Sequence, residues 1–495
     1  MTAARDGRRR IVILLASLVV LISVPFDLIP ALRGPAPYPP EWQWAFRPDG
    51  PSRPLVAAAA CALGLIALLV ASGTSRARRR PVGARRALVT GAVLLSCGLQ
   101  IGLLAREPGR PLRTLLSRTR SRSFTSYHAV AISPEARDPS SILRHHAEWL
   151  PELARSAKHA ATHPPGPVLY YRAMLALCEA SPSLTEGLLD AAGIPDREFR
   201  PPATRAARAA ALLGAFLLGL LGALAAWPIA HLALALGVEG LAAARLAILW
   251  ALLPGPALMT PQFDQALALP VVAAAGLLLA AGAGTRRGPV SAILAGLVAG
   301  VALWVSYGAA AFLAIGGVAA LAAAYDGRAG LRRRAGLTTL SAAVAGVVAF
   351  GVPALFGHQP VRAMLTALSI HREMYTTPRS YALWLAFNPL DLALFLGVPV
   401  AAAGLLVLPR SVRRSAPDTV RTPMDRFRLA LFGGIAVLLA LGVTRGEVGR
   451  IWIPLMPLLL VACLGGRSEP DRAEALLQGV LLAVLTLTIG SYWVV

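Results

Sequence analysis

Apolar runs of roughly 17–25 residues, the length that crosses a bilayer core, alternate with short connections along nearly the whole chain. Soluble cores need no such uninterrupted runs. The pattern predicts membrane helices at about 11–28, 54–73, 87–105, 166–180, 206–233, 264–283, 289–306, 308–324, 337–356, 389–408, 427–443, 451–466 and 475–494. The expected fold is therefore all-α, a polytopic bundle of about 13 spans. It divides into an N-terminal three-helix membrane segment (1–105), a long loop (106–165) and a C-terminal bundle (166–495). Residues 240–260, interrupted by Pro254-Gly255-Pro256, read as a broken or re-entrant helix, tolerated where protein or a cavity satisfies the backbone.

Arginine distribution sets the sides. The connections at 75–86, 285–288, 326–334, 410–428 and 467–472 are arginine-rich and are expected in the cytoplasm. Segments 29–53, 106–165, 357–388 and 444–450 then face outward, with the N-terminus inside and the C-terminus outside. Arg8-Arg9-Arg10 before the run from Ile11 reads as the flank of a first span rather than of a secretory signal. Loop 106–165 carries many arginines of its own, among them Arg106, Arg110 and Arg144, but long loops follow the charge rule weakly. It is long enough for amphipathic helices lying on the membrane, with Ile142, Leu143, Trp149, Leu150 and Leu153 toward lipid.

Composition agrees. Of 495 residues, 56% are hydrophobic and 15% charged, against about 25% charged in soluble domains, and mean hydropathy is +0.61. The net charge of +23 is almost all arginine, Lys158 being the single lysine. Because the arginines flank apolar runs, membrane topology explains them better than nucleic-acid binding, which calls for a basic soluble domain. Cys61, Cys97, Cys178 and Cys463 lie in or beside apolar runs without metal spacing and read as small core residues.

Ligand-capable groups concentrate on the expected outer side, where His128, His145, His146, His159, His163, His358 and His371 all fall. The most informative stretch is Lys158-His159-Ala160-Ala161-Thr162-His163-Pro164-Pro165-Gly166-Pro167. Its prolines and glycine end one helix and start the next rigidly, holding His163 at a helix mouth that favours an anion; a plain helix-start signal fits the same residues. His159 and His163 have the i, i+4 spacing of a metal pair, but Pro164 interrupts the helix and no carboxylate completes the set. No metal site is assigned, and a divalent cation stays open as a cofactor.

This His-Pro-Pro-Gly stretch and the aromatic-rich helix after it resemble the His-Pro-Pro element of GT-C-type membrane glycosyltransferases. The chain is similar to bacterial glycosyltransferase-like and dolichyl-phosphate-mannose-protein mannosyltransferase-like members. Further likeness lies in Arg33-Gly34-Pro35 with Tyr38-Pro39-Pro40-Glu41-Trp42-Gln43-Trp44, in Ser126-Tyr127-His128-Ala129-Val130-Ala131 with Asp138, and in Arg445-Gly446-Glu447-Val448-Gly449-Arg450-Ile451-Trp452. The resemblance implies a GT-C-like fold. It implies transfer of a sugar from a polyprenyl-phosphate donor to a lipid, glycan or protein acceptor at the outer face of a bacterial inner membrane. Where family members carry an acidic residue before the tyrosine, this chain reads Arg122-Ser123-Phe124-Thr125-Ser126, so the base is not carried over.

Such a transfer needs a carboxylate to take the acceptor's proton and cations to stabilise the departing phosphate. Asp138, Glu41 and Asp27 are the candidate bases. Asp138 fits equally as a cap for the helix after Pro139, Asp27 as a helix-end carboxylate, and Trp42 and Trp44 as an interfacial belt or a sugar-stacking surface. Lys158, His159, His163, Arg445 and Arg450 are the candidate phosphate groups, with Glu447 orienting an arginine. Asp264 and Asp391 read as acids opening helices on the outer side, and Asp264 as the carboxylate that a re-entrant segment would present to a cavity. A transporter or flippase of lipid-linked sugars, or a family member that binds them without turnover, is the alternative; transporters commonly show paired broken helices, and one break is visible here.

Overall fold

The computed structural model describes residues 2–37, 39–46, 53–74, 79, 81–104, 111–122, 124–193, 204–284, 286–325, 330–413, 421–465 and 472–488. Tyr38, Arg106, Arg110, most of the 467–472 connection and the end of the last expected span lie outside them. Among the described residues all repeating structure is helical. Five helices are long and apolar enough to cross a bilayer: Pro81–Leu103, Arg205–Ala235, Phe263–Gly282, Gly288–Val305 and Leu331–Ala354. A sixth span results if the bent pair Tyr381–Leu396 and Val398–Val412 counts as one. Apolar residues face outward on the periphery: Ile11, Leu15, Val19 and Ile22 line one side of the first helix and are each more than half exposed. Such a stripe suits lipid, not water.

Several other expected spans fold into shorter apolar helices, including Arg10–Ser23, Ala58–Ala71, Ala309–Ala323 and Ile453–Leu464, as does Gly240–Ala251 in the segment read as re-entrant; the span expected at 427–443 is the 19-residue helix Pro423–Leu441. Twelve helical residues rise about 18 Å, short of a core about 30 Å thick. Met456–Leu464 is buried at every position, and Gly240–Ala251 at every position after Gly240. Met456–Leu464 is apolar all round because protein surrounds it, a state that hydropathy cannot separate from lipid contact; Gly240–Ala251 is enclosed likewise, with its one charge, Arg245, donating to Ser72 Oγ at 2.7 Å. Gly166–Ala180 is 15 residues long and carries Arg172 and Glu179, an ion pair at 3.8 Å.

Two other expectations are corrected. The run 389–408 is not one helix: Tyr381–Leu396 and Val398–Val412 meet at 117°. Gly397 turns the chain with φ +93, and Gln478 packs where a side chain on Gly397 would stand. Asn388-Pro389 therefore lies inside a helix, and Asp391 does not open one. The amphipathic helix in the long loop, Pro139–Ser156, does not lay its apolar face on lipid. Ile142 packs among Tyr127, Ala157 and Val168, and Leu150 packs on Ala363 and Ala367. The break at Pro254-Gly255-Pro256 follows its expected place: Gly240–Ala251 stops, a five-residue helix Pro254–Leu258 follows, and Phe263–Gly282 begins.

Four helices define two ends of the bundle. At one end Arg333 lies against Gly284 and Gly288, while Arg426 donates to the carbonyls of Ala322 and Ala323, the last turn of Ala309–Ala323. At the other end stand the start of Phe263–Gly282, the Ser306–Gly308 turn, the start of Ala309–Ala323 and the end of Pro423–Leu441. A cavity opens among these termini.

Candidate functional site

The His-Pro-Pro-Gly turn forms one wall. Gly166 approaches the Trp304 carbonyl so closely that no side chain fits, which fixes the turn against Gly288–Val305. His163 Nδ1 lies 2.8 Å from the His159 carbonyl. A carbonyl only accepts, so Nδ1 carries the proton and Nε2 is an acceptor. Burial pushes the His163 pKa down to about 3, helped by His159 and Arg450 and opposed by the His159 carbonyl. That direction favours the neutral ring, which would meet a ligand as a hydrogen-bonding group, not as a charge. Its ring meets Tyr127 edge-on at 5.4 Å, and His146 Nε2 donates to its carbonyl at 3.2 Å.

The facing wall is the turn after Pro423–Leu441. Gly442, Gly446 and Glu447 all have positive φ, folding Arg445, Glu447 and Arg450 back over the bundle. Arg379 donates to the Arg445 carbonyl and to Glu447 Oε1 at 3.3 Å. Arg445 returns bonds to the Thr376 and Arg379 carbonyls at 2.9 and 2.6 Å. Arg450 Nη2 meets Glu447 Oε2 at 2.7 Å. Burial raises the Glu447 pKa, but Arg450, Arg379 and His159 outweigh it and hold the carboxylate below its usual range. Burial lowers that of Arg450, and Glu447 with Asp264 more than reverses this.

Between the walls lies a cavity of about 190 Å³. Its polar lining includes Asp264, His159, His163, Arg379, Arg445, Glu447 and Arg450; Tyr127, Phe263, Tyr307, Phe312 and Tyr375 supply the aromatic part. The two carboxylates differ. Glu447 is held by two arginines. Asp264 stands 4.0 Å from Arg450 Nε, beyond hydrogen-bond length, and that Nε–H is buried with no hydrogen-bond partner. The site thus keeps one loosely engaged carboxylate beside one unused guanidinium donor.

Of the residues singled out from sequence, His159, His163, Arg445, Glu447 and Arg450 gather here, and Asp264 presents its carboxylate as the re-entrant reading expects. Lys158 is exposed and outside the lining. The three expected bases lie elsewhere. Asp138 caps Pro139–Ser156 on the surface, accepting from the Ser140 N–H at 2.9 Å and pairing with Arg144 at 3.5 Å. Its hydrogen bonds from Ser140 hold its pKa down. Glu41 accepts from the Ser380 N–H at 2.9 Å and Trp384 Nε1 at 2.6 Å, which occupies both oxygens. Asp27 makes a two-point pair with Arg33 at 2.8 and 2.7 Å. Trp44 is buried and touches Trp42 edge-on at 5.6 Å, so it belongs to neither a belt nor a stacking surface; Trp42 is half-buried. These residues anchor the 30–46 segment beneath the arginine turn; Arg379 also donates to the Pro40 carbonyl at 3.2 Å.

Sequence reasoning missed Arg379, Tyr307 and Tyr375, and named His371 only among the outer-side histidines; Tyr307 and Arg379 reach the cavity from turns, His371 and Tyr375 from the helical segments Pro360–His371 and Arg372–Thr376. Among the described residues no three His, Cys, Asp or Glu side chains cluster as a metal set. No family model, no curated protein and no solved structure matches this chain.

Proposed function

We propose that the protein is a GT-C-like membrane glycosyltransferase, moving a sugar from a polyprenyl-phosphate donor to an acceptor hydroxyl. The observation that carries the reading is Arg450: paired to Glu447, short of Asp264, and carrying a buried N–H with no acceptor inside an aromatic-lined cavity. Arg450 lines the cavity, and a guanidinium's planar fork suits phosphate oxygens bidentately. The acceptor oxygen attacks the anomeric carbon while Asp264 takes its proton. The bond from carbon to phosphate oxygen breaks, its electron pair stays on the phosphate, and Arg450 stabilises the growing charge. Glu447 holds Arg450 and Arg379 in place.

The cavity lies at the end of the bundle away from Arg333 and Arg426. Under the positive-inside rule that position supports an outward-facing site on a bacterial inner membrane. The test incubates purified protein with radiolabelled polyprenyl-phosphate sugars and a membrane extract. Release of polyprenyl phosphate that disappears in Asp264→Asn and persists in Asp138→Asn supports the transferase. Labelled lipid crossing sealed vesicles uncleaved, equally in wild type and Asp264→Asn, replaces it with a flippase.

A further inference from the structure

The helix that covers the apolar face of Pro139–Ser156 is amphipathic in an unusual way. Pro360–His371 buries Ala363 and Ala367 against Ala147 and Leu150. Its opposite side is also apolar: Val361, Leu365 and Leu368 are 56%, 59% and 47% exposed. Spacings of four and three put these three residues on one stripe. Arg372, four residues past Leu368, continues the line, and Arg362 flanks its start; both are exposed. The direction of the stripe is fixed. Gly357 turns the chain with φ +82, and His358 Nδ1 donates to the Leu143 carbonyl at 2.9 Å, which ties the start of the helix to Pro139–Ser156.

The stripe continues a surface that suits lipid. Leu331–Ala354 is long and apolar enough to cross a bilayer, and Leu355 and Phe356 at its end are 84% and 59% exposed. The stripe begins five residues later. Beyond it the chain enters Tyr381–Leu396, the first half of the bent span, where Leu383 and Leu385 are again exposed. Apolar surface therefore runs from one membrane segment, across this helix, to the next. We propose that Pro360–His371 is an interfacial helix whose partner is the bilayer surface. Val361, Leu365 and Leu368 sit at the boundary of headgroups and acyl chains, and Arg362 and Arg372 lay their stems on that surface and reach the lipid phosphates. Leu368 belongs to the stripe and to the cavity lining, which His371 and Tyr375 extend, so the cavity lies beside the headgroups. The inference stands on the exposed stripe and does not depend on the transferase reading.

The test places the full chain in nanodiscs of phosphatidylcholine and phosphatidylglycerol doped with either of two photoactivatable lipids. One carries its diazirine near the ester, the other at the end of the acyl chain, and peptide mass spectrometry locates the adducts. The shallow probe is expected to label Val361, Leu365 and Leu368 along with Leu355. The deep probe is expected to label Leu294 and Leu297, exposed midway along Gly288–Val305, and to miss the stripe. Leu365→Glu is expected to lose the stripe's adducts while keeping those at Leu355 and an unchanged thermal midpoint in detergent. Adducts at Leu355 with none on the stripe overturn the proposal, whether water faces the helix or a second copy of the chain covers it. Stripe adducts that persist undiminished in Leu365→Glu overturn it as well, since a seated apolar face does not tolerate a buried charge.

Discussion

Trp44 Nε1 donates to Asp391 Oδ1 at 2.7 Å across 347 positions of sequence. The second oxygen of Asp391 accepts the Gly449 N–H at 2.9 Å, one residue before Arg450. The N-terminal segment is thereby wired to the arginine turn through one buried carboxylate. Trp44→Phe keeps an aromatic ring but removes the donor and part of the buried indole volume, leaving an acceptor short of a partner and a small void. The expected cost is about 1–3 kcal/mol, read as a lower thermal midpoint in detergent, together with reduced sugar transfer. An unchanged midpoint and full activity would show that the link carries nothing.

Asp264 and Glu447 are expected to fail in different ways. Asp264→Asn preserves shape and removes the proposed base, so transfer is expected to fall by about 10²–10⁴ with little change in thermal midpoint. Glu447→Gln leaves Arg450 and Arg379 without their shared counter-charge. Breaking a buried pair costs about 3–5 kcal/mol, so this variant is expected to melt early. Equal loss of stability in both variants contradicts the division of roles.

Arg450→Lys retains a positive charge and loses the planar donor set. Affinity for polyprenyl phosphate is expected to fall at least tenfold, with the fold intact. Retention of wild-type affinity would show that charge alone, and not the guanidinium geometry, holds the phosphate.

Acid destabilises the turn that carries His163. His146 lies against His358 at 5.8 Å between ring centres, and burial lowers its pKa from 6.5 to about 4; His163 lies lower still. Unfolded chains bind protons on these rings first, so stability is full above pH 6.5 and declines as pH falls toward 4. At pH 5, roughly 1.5 units below the ordinary value, each ring costs about 2 kcal/mol. The thermal midpoint is expected to drop between pH 7 and pH 5, and less steeply in His146→Gln.

Gly397→Ala tests the bend. The residue has φ +93 and packs on Gln478, which also donates to the Leu252 and Leu396 carbonyls at 3.4 and 3.5 Å. Any side chain there meets strain and collision together. Expression or thermal midpoint is expected to fall sharply; Gly433→Ala, where the space is open, is the control and is expected to be neutral.

Much of the site was legible because unusual chemistry in an apolar chain is visible locally. The prolines after His163, the glycines around Glu447 and a carboxylate at the head of the run from Phe263 each break a hydrophobic pattern. Asp138, Glu41 and Asp27 break it in the same way, and composition cannot separate a carboxylate that caps a helix or holds a tryptophan from one that faces a cavity. Arg379 and Tyr307 carry no signal, since a single arginine or tyrosine in a loop is ordinary.

By itself the sequence determined that the chain is helical and apolar enough for a membrane, because hydropathy and helix periodicity are local properties. Only the tertiary structure decided which apolar helices face lipid and which face protein, and which carboxylate meets Arg450. Both depend on contacts between segments hundreds of residues apart, whose energies no local pattern records.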